Sequence, residues 1–81
     1  MYTMARDKKS VMIEFVTMDV LLGIIEETSV SFREAMNMFY NSEVFEQLCD
    51  TETGLYRESG GYVYDLFKNE RENGRLVQLE H

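Results

Sequence analysis

The 81-residue sequence contains one histidine, one cysteine, no proline and no tryptophan. The histidine is His81, in a Leu79-Glu80-His81 ending that reads as the start of a Leu-Glu-polyhistidine expression tag and is set aside from fold reasoning. Without another histidine, Ser-His-Asp, Cys-His and histidine-ligated metal chemistry are unavailable within one chain. Cys49 alone allows neither an intrachain disulfide nor a cysteine-cluster metal site, which fits a reducing cytoplasm. Long apolar runs are also missing. Residues 11–25 are the most apolar stretch, but they fall short of the roughly 18–20 residues that span a bilayer and carry Glu14 and Asp19. They read as a buried helix. Met1-Tyr2-Thr3-Met4-Ala5-Arg6 lacks the apolar core and small-residue site of a signal peptide, so none is expected.

Positive charge is scarce as well, and the net charge is −7. Residues 1–10 hold Arg6, Lys8 and Lys9 against Asp7. Residues 11–52 hold Glu14, Asp19, Glu26, Glu27, Glu34, Glu43, Glu46, Asp50 and Glu52 against Arg33 alone. This balance disfavours nucleic-acid binding by phosphate neutralisation. A basic protein partner suits it better. The plainer alternative is that these acids solubilise helix exteriors.

What is present is helical patterning with local start signals. A first helix is expected over about 10–28, with Ser10 as its N-cap. On a helical wheel, Ile13, Val16, Val20 and Ile24 share one side and Val11, Phe15, Met18, Leu22 and Ile25 another. Polar strips at Glu14 and Thr17 and at Asp19, Gly23 and Glu26 separate them. A helix apolar on two sides calls for burial on two sides. In so small a domain it is either the central helix or half of a homodimer interface. A strand over Val11-Met12-Ile13-Glu14-Phe15-Val16 is the rival reading, but the run does not alternate cleanly. Ser31-Phe32-Arg33-Glu34 is a capping box opening a helix over 32–40, with Phe32, Ala35, Met36 and Phe39 on its apolar face. Asn41-Ser42 breaks and restarts the chain into a helix over 42–49, faced by Val44, Phe45 and Leu48. Asp50-Thr51-Glu52-Thr53-Gly54 is a loop, after which Leu55 and Tyr56 tuck back onto the core. Ser59-Gly60-Gly61 opens a helix over 59–72 with Tyr62, Val63, Leu66 and Phe67 as its apolar face, and Asn73-Gly74 ends it.

Possible sites are few. Asp50 to Gly54 has oxygen donors at alternate positions, but a calcium loop needs ligands where Gly54 and Gly61 stand, so a polar turn is the better reading. Cys49 lies beside Asp50 at a helix C-terminus, where a thiolate is disfavoured, and reads as a part-buried packing thiol. Ser59-Gly60-Gly61 resembles a rudimentary anion nest, yet Glu58 adjoins it and no Lys-Ser/Thr follows. Tyrosine and arginine are common at binding hot spots, which singles out Arg57 and Tyr64. Tyr64 sits about 200° from Tyr62 on the last helix; it is expected to be exposed, with Tyr62 in the core. Met38, off the apolar face of its helix, is a further candidate contact.

Several stretches carry a resemblance. Glu14-Phe15-Val16, then Phe32-Arg33-Glu34-Ala35 leading to Met38-Phe39, then Val44-Phe45-Glu46-Gln47-Leu48, then Gly61-Tyr62-Val63-Tyr64-Asp65-Leu66 resemble a group of small, all-helical, uncharacterised bacterial proteins. Some of these are encoded beside ADP-ribosyltransferase-like or other toxin-like genes. The resemblance covers roughly residues 10–70 and implies an accessory or antitoxin-like role, with no catalytic residues to carry over. Thr53-Gly54-Leu55-Tyr56 stands where such proteins often show a histidine.

The expected fold is all-α, a compact bundle of four short helices. Residues 1–9 form a disordered tail, 10–74 a single helical domain and 75–81 a second tail. The expected function is a non-enzymatic, cytoplasmic protein-interaction module without cofactor or metal, dimerising through residues 11–25. Its surface comprises Glu26, Glu27, Glu34, Met38, Glu43, Glu46, Arg57 and Tyr64, facing a basic partner. The alternative is a helix-turn-helix-like DNA-binding regulator, for which Lys68 and Arg71 among Asp65, Glu70 and Glu72 make a poor recognition helix. An enzyme built on carboxylates and tyrosines lacks any recognisable motif.

Overall fold

Serine hydroxyls set three of the four described helix starts. In the computed structural model, which describes residues 8–74, α1 runs Lys8–Thr28, α2 Phe32–Tyr40, α3 Glu43–Cys49 and α4 Gly60–Asn73. Of the tails expected at 1–9 and 75–81, residues 1–7 and 75–81 lie outside the described residues, whereas Lys8 and Lys9 are already helical rather than disordered. Ser31, Ser42 and Ser59 are extended in backbone, and each accepts a hydrogen bond from the N–H three residues on. Each such cap stabilises its helix by about 1 kcal/mol. Ser10 does not play this part. The helix already begins at Lys8, two good helix formers ahead of it, and Ser10 lies inside the first turn.

The start of α3 is satisfied from two directions. Ser42 is buried; its hydroxyl donates to the Phe39 carbonyl at 2.6 Å and accepts from the Phe45 N–H at 3.1 Å. The N–H groups of Glu43 and Val44 donate to the two Glu70 carboxylate oxygens at 2.9 and 3.1 Å. A carboxylate on a helix N-terminus meets both orphan donors and the positive end of the dipole. Glu70 thereby clamps α4 to α3, a contact that the mixed-charge run Glu70-Arg71-Glu72 gave no reason to expect.

Between α3 and α4 the chain makes two single 3₁₀ turns, Thr51–Thr53 and Leu55–Arg57, hinged on Gly54 at φ 72°. Only glycine takes that conformation at no steric cost. The second turn buries Leu55 and Tyr56, as their sequence position predicted.

The core gathers Val16, Val20, Leu21 and Ile24 of α1 with Ala35 and Phe39 of α2, Val44 and Leu48 of α3, and Val63 and Phe67 of α4. Phe39 is at its centre, edge-on to Phe67 at 5.5 Å and to Phe45 at 5.3 Å. The thinnest dimension is 18 Å, which is two helix layers at the usual spacing of about 8–10 Å. The shorter helices cover one side of α1, and among the described residues no third layer covers the other.

Candidate functional site

That missing layer leaves the second apolar side of α1 in solvent. Phe15 is 68% exposed, Met18 46% and Leu22 53%, while Val11 and Ile25 are half-buried at either end. The five positions are spaced 4, 3, 4, 3, a heptad seam about 21 Å long. Burying a residue of this kind gains about 1.5–3 kcal/mol, so a seam left open is a surface with a strong tendency to be covered. Exposed apolar patches of this sort mark interaction sites.

The seam borders a shallow cleft of about 360 Å³, where α1 meets α2 and α3. Ile13 and Met18 form one wall, and Phe32, Tyr40 and Phe45 the other. Phe32 was expected in the core of α2, but the bundle buries only Ala35 and Phe39 there and leaves Phe32 45% and Tyr40 47% exposed. Tyr40 packs on Phe45 with ring centroids 4.8 Å apart. The cleft thus combines fixed aromatic rings with an open apolar edge, features common to pockets that anchor a side chain.

The opposite flank of α1 corrects the reading of Tyr62 and Tyr64. The strip Asp19, Gly23 and Glu26 is not simply a solvent divide, since α4 packs against part of it. Gly23 presents no side chain, and the Tyr64 ring lies over it, about 3.1 Å from where a Cβ would stand. Further along, the carboxylate-bearing Asp19 touches the backbone of Gly60. These close approaches fix the rotation of α4 so that Gly60, Val63 and Phe67 face inward. Tyr64 is then half-buried, and Tyr62 is 49% exposed. The tyrosine expected to meet a partner is bound within the fold. Its hydroxyl lies 3.1 Å from the Gly23 carbonyl and 2.9 Å from the Glu27 carboxylate, both acceptors.

Desolvation first, then the hydrogen bond to Glu27 and that residue's charge, push the Tyr64 phenol up to about 12. A phenol whose pKa is raised by folding contributes stability that is intact below its unfolded value near 10. That contribution is lost as pH climbs toward the folded value. Tyr64→Phe is therefore expected to flatten the fall in stability between about pH 10 and 12. Tyrosinate absorbance should show a late-titrating phenol in the parent protein that disappears in the variant. An unchanged titration would remove Tyr64 from this contact.

The other expected surface residues separate. Glu27, Met38 and Tyr64 line one small cleft of about 170 Å³ with Lys68 and Arg71. Met38 is half-buried against the core rather than free at the surface. Glu27 is 3.7 Å from Lys68, which also lies 3.9 Å from Asp65 and 4.9 Å from the Tyr64 ring. Arg71 stands over the Phe67 ring at 5.9 Å. The cations of α4 are thus engaged with their own helix and with α1. Glu26, Glu34, Glu43 and Glu46 are exposed on three different helices and do not form one cluster. Arg57 is exposed over the Tyr56 ring at 5.5 Å, on the far loop.

Among the described residues there is no grouping of three acidic, cysteine or histidine side chains that would hold a metal ion. Asp50, considered for a calcium loop, instead accepts from the Glu52 N–H at 3.0 Å as a turn cap. Cys49 is exposed, not packed, although desolvation still pushes its thiol upward and disfavours a thiolate. No described helix is long and apolar enough to cross a membrane. No family model, curated protein or solved structure matches this chain. Its functional reading rests on its own surface.

Proposed function

We propose that this protein is a non-enzymatic protein-interaction module whose docking surface is the outer face of α1, extended by the Phe32 and Tyr40 cleft. The observation that supports this is the exposure of Phe15, Met18 and Leu22 at heptad spacing, beside the partly exposed rings of Phe32 and Tyr40. The complementary partner is an amphipathic helix, since a seam of this spacing is filled by knobs from a facing helix. Exposed Glu14 and Glu26 flank the seam. A helix with basic flanks is favoured by that rim, and one with acidic flanks is repelled. The reading needs no cofactor.

A designed amphipathic peptide with Leu at its seam and Lys or Arg on both flanks provides the test, titrated into isotopically labelled protein. Amide shifts are expected at Phe15, Met18, Leu22, Phe32 and Tyr40, and the Leu22→Glu variant should lose them. Shifts spread evenly over Glu34, Glu46 and Glu52, with none along the seam, would mean charge attraction without a docking face.

A further inference from the structure

The outer face of α1 asks for basic charge beside Glu26, and α1 itself supplies that charge in its own first turn. Lys8 and Lys9 open the helix and are exposed; Glu26 and Glu27 close it. Glu27 is turned toward Tyr64 and Lys68, whereas Glu26 is exposed next to Ile25 at the end of the seam. Lys8 therefore puts positive charge beside the first turn of the apolar stripe and Glu26 negative charge beside its last, with Glu14 a further acid on the rim between them. Such a stripe is complementary to its own reverse.

We infer that the occupant of the seam is a second copy of this chain, with its α1 antiparallel to the first about a two-fold axis. The inference rests on the interaction face proposed above and names its partner. In a seam where each heptad position meets its counterpart, Phe15 packs beside Met18 of the second copy and Val11 beside its Leu22. This register sets Lys8 against the other copy's Ile25 and within reach of its Glu26. Both ends of the interface are then closed by opposite charges, and the two helix dipoles oppose one another. A parallel copy would do the reverse, placing lysines on lysines and Glu26 on Glu26. Asp19 does not oppose the pairing, because it is directed to Gly60 on the α4 side. Isologous two-fold pairs, in which the same patch of both subunits meets, are the commonest oligomers.

Sedimentation equilibrium of the full chain tests the arrangement at low and moderate salt. The parent protein is expected to dimerise, and Leu22→Glu should weaken the dimer tenfold or more while keeping the far-ultraviolet helix signal. Lys8→Glu with Lys9→Glu, or Glu26→Lys alone, should each weaken it by about three- to fivefold at low salt, in line with exposed ion pairs. Combining all three substitutions should restore it, because the charges are exchanged end for end. A parallel dimer predicts no such rescue, and that result would overturn the arrangement. A monomer at millimolar concentration, or a dimer indifferent to Leu22→Glu, would overturn it too. If the monomer still binds the basic peptide through the seam, the interaction face stands and only the second copy falls.

Discussion

Gly60→Ala is expected to lower the melting temperature by about 10–20 °C, although alanine is the better helix former. A Cβ at this position would stand 2.4 Å from the Cβ of Asp19, and that atom is fixed to the α1 backbone. No rotamer relieves the contact, so α1 and α4 must move apart along the seam that Tyr64 closes. Overpacking of this kind costs about 1–3 kcal/mol, and in a domain of this size each kcal/mol is worth about 4–8 °C. The neighbouring glycine supplies the control. Gly61 is exposed, and a Cβ there meets only the Ser59 hydroxyl at 4.0 Å. Gly61→Ala should therefore raise stability by about 0.5–1 kcal/mol. Opposite signs at adjacent glycines are the expected result of thermal melts. Equal signs would show that α4 does not approach α1 as closely as described. Asp19→Gly in the Gly60→Ala background should recover part of the loss, since it removes the opposing Cβ.

Phe39→Ala is expected to leave the chain largely unfolded at 37 °C. The side chain is fully buried, and its ring meets Phe67 at an interplanar angle of 84° and Phe45 at 69°. Its removal costs about 3–5 kcal/mol from lost transfer energy and the cavity left behind. A single domain of this size has little more than that to lose. Phe39→Leu keeps most of the volume but gives up two edge-to-face contacts, each worth about 0.5–1.5 kcal/mol. Urea titrations should therefore rank the parent above Phe39→Leu and well above Phe39→Ala. Near-equal midpoints would place the centre of the core elsewhere.

These two positions also show what the sequence could and could not convey. Ser31, Ser42 and Ser59 were legible as caps because a capping bond reaches only three residues along the chain. Phe39 was legible as core from the spacing of its neighbours. The second apolar side of α1 was legible too, and the described residues leave it uncovered. Tyr62 and Tyr64 were exchanged because a wheel drawn on α4 alone has two plausible inner faces. The deciding partner, Gly23, is on another helix. A glycine in the middle of a helix costs about 1 kcal/mol and so invites a packing reason; reading Gly23 together with Gly60 would have supplied it. The Glu70 clamp was hidden for a different reason. Its partners are 26 and 27 residues away, and nothing local distinguishes it from the solvated acids beside it.

The central claim is that the outer face of α1 is open in the folded chain and closes against a partner helix. Hydroxyl-radical footprinting across a range of protein concentrations tests this at the residues themselves. Phe15, Met18 and Leu22 should be labelled strongly in dilute solution and protected as concentration rises, while half-buried Met36 and Met38 keep one level of labelling throughout. Protection of Phe15 and Met18 even at the highest dilution would mean that the bundle itself covers this face. Strong labelling at every concentration, with or without the basic peptide, would mean that nothing docks there.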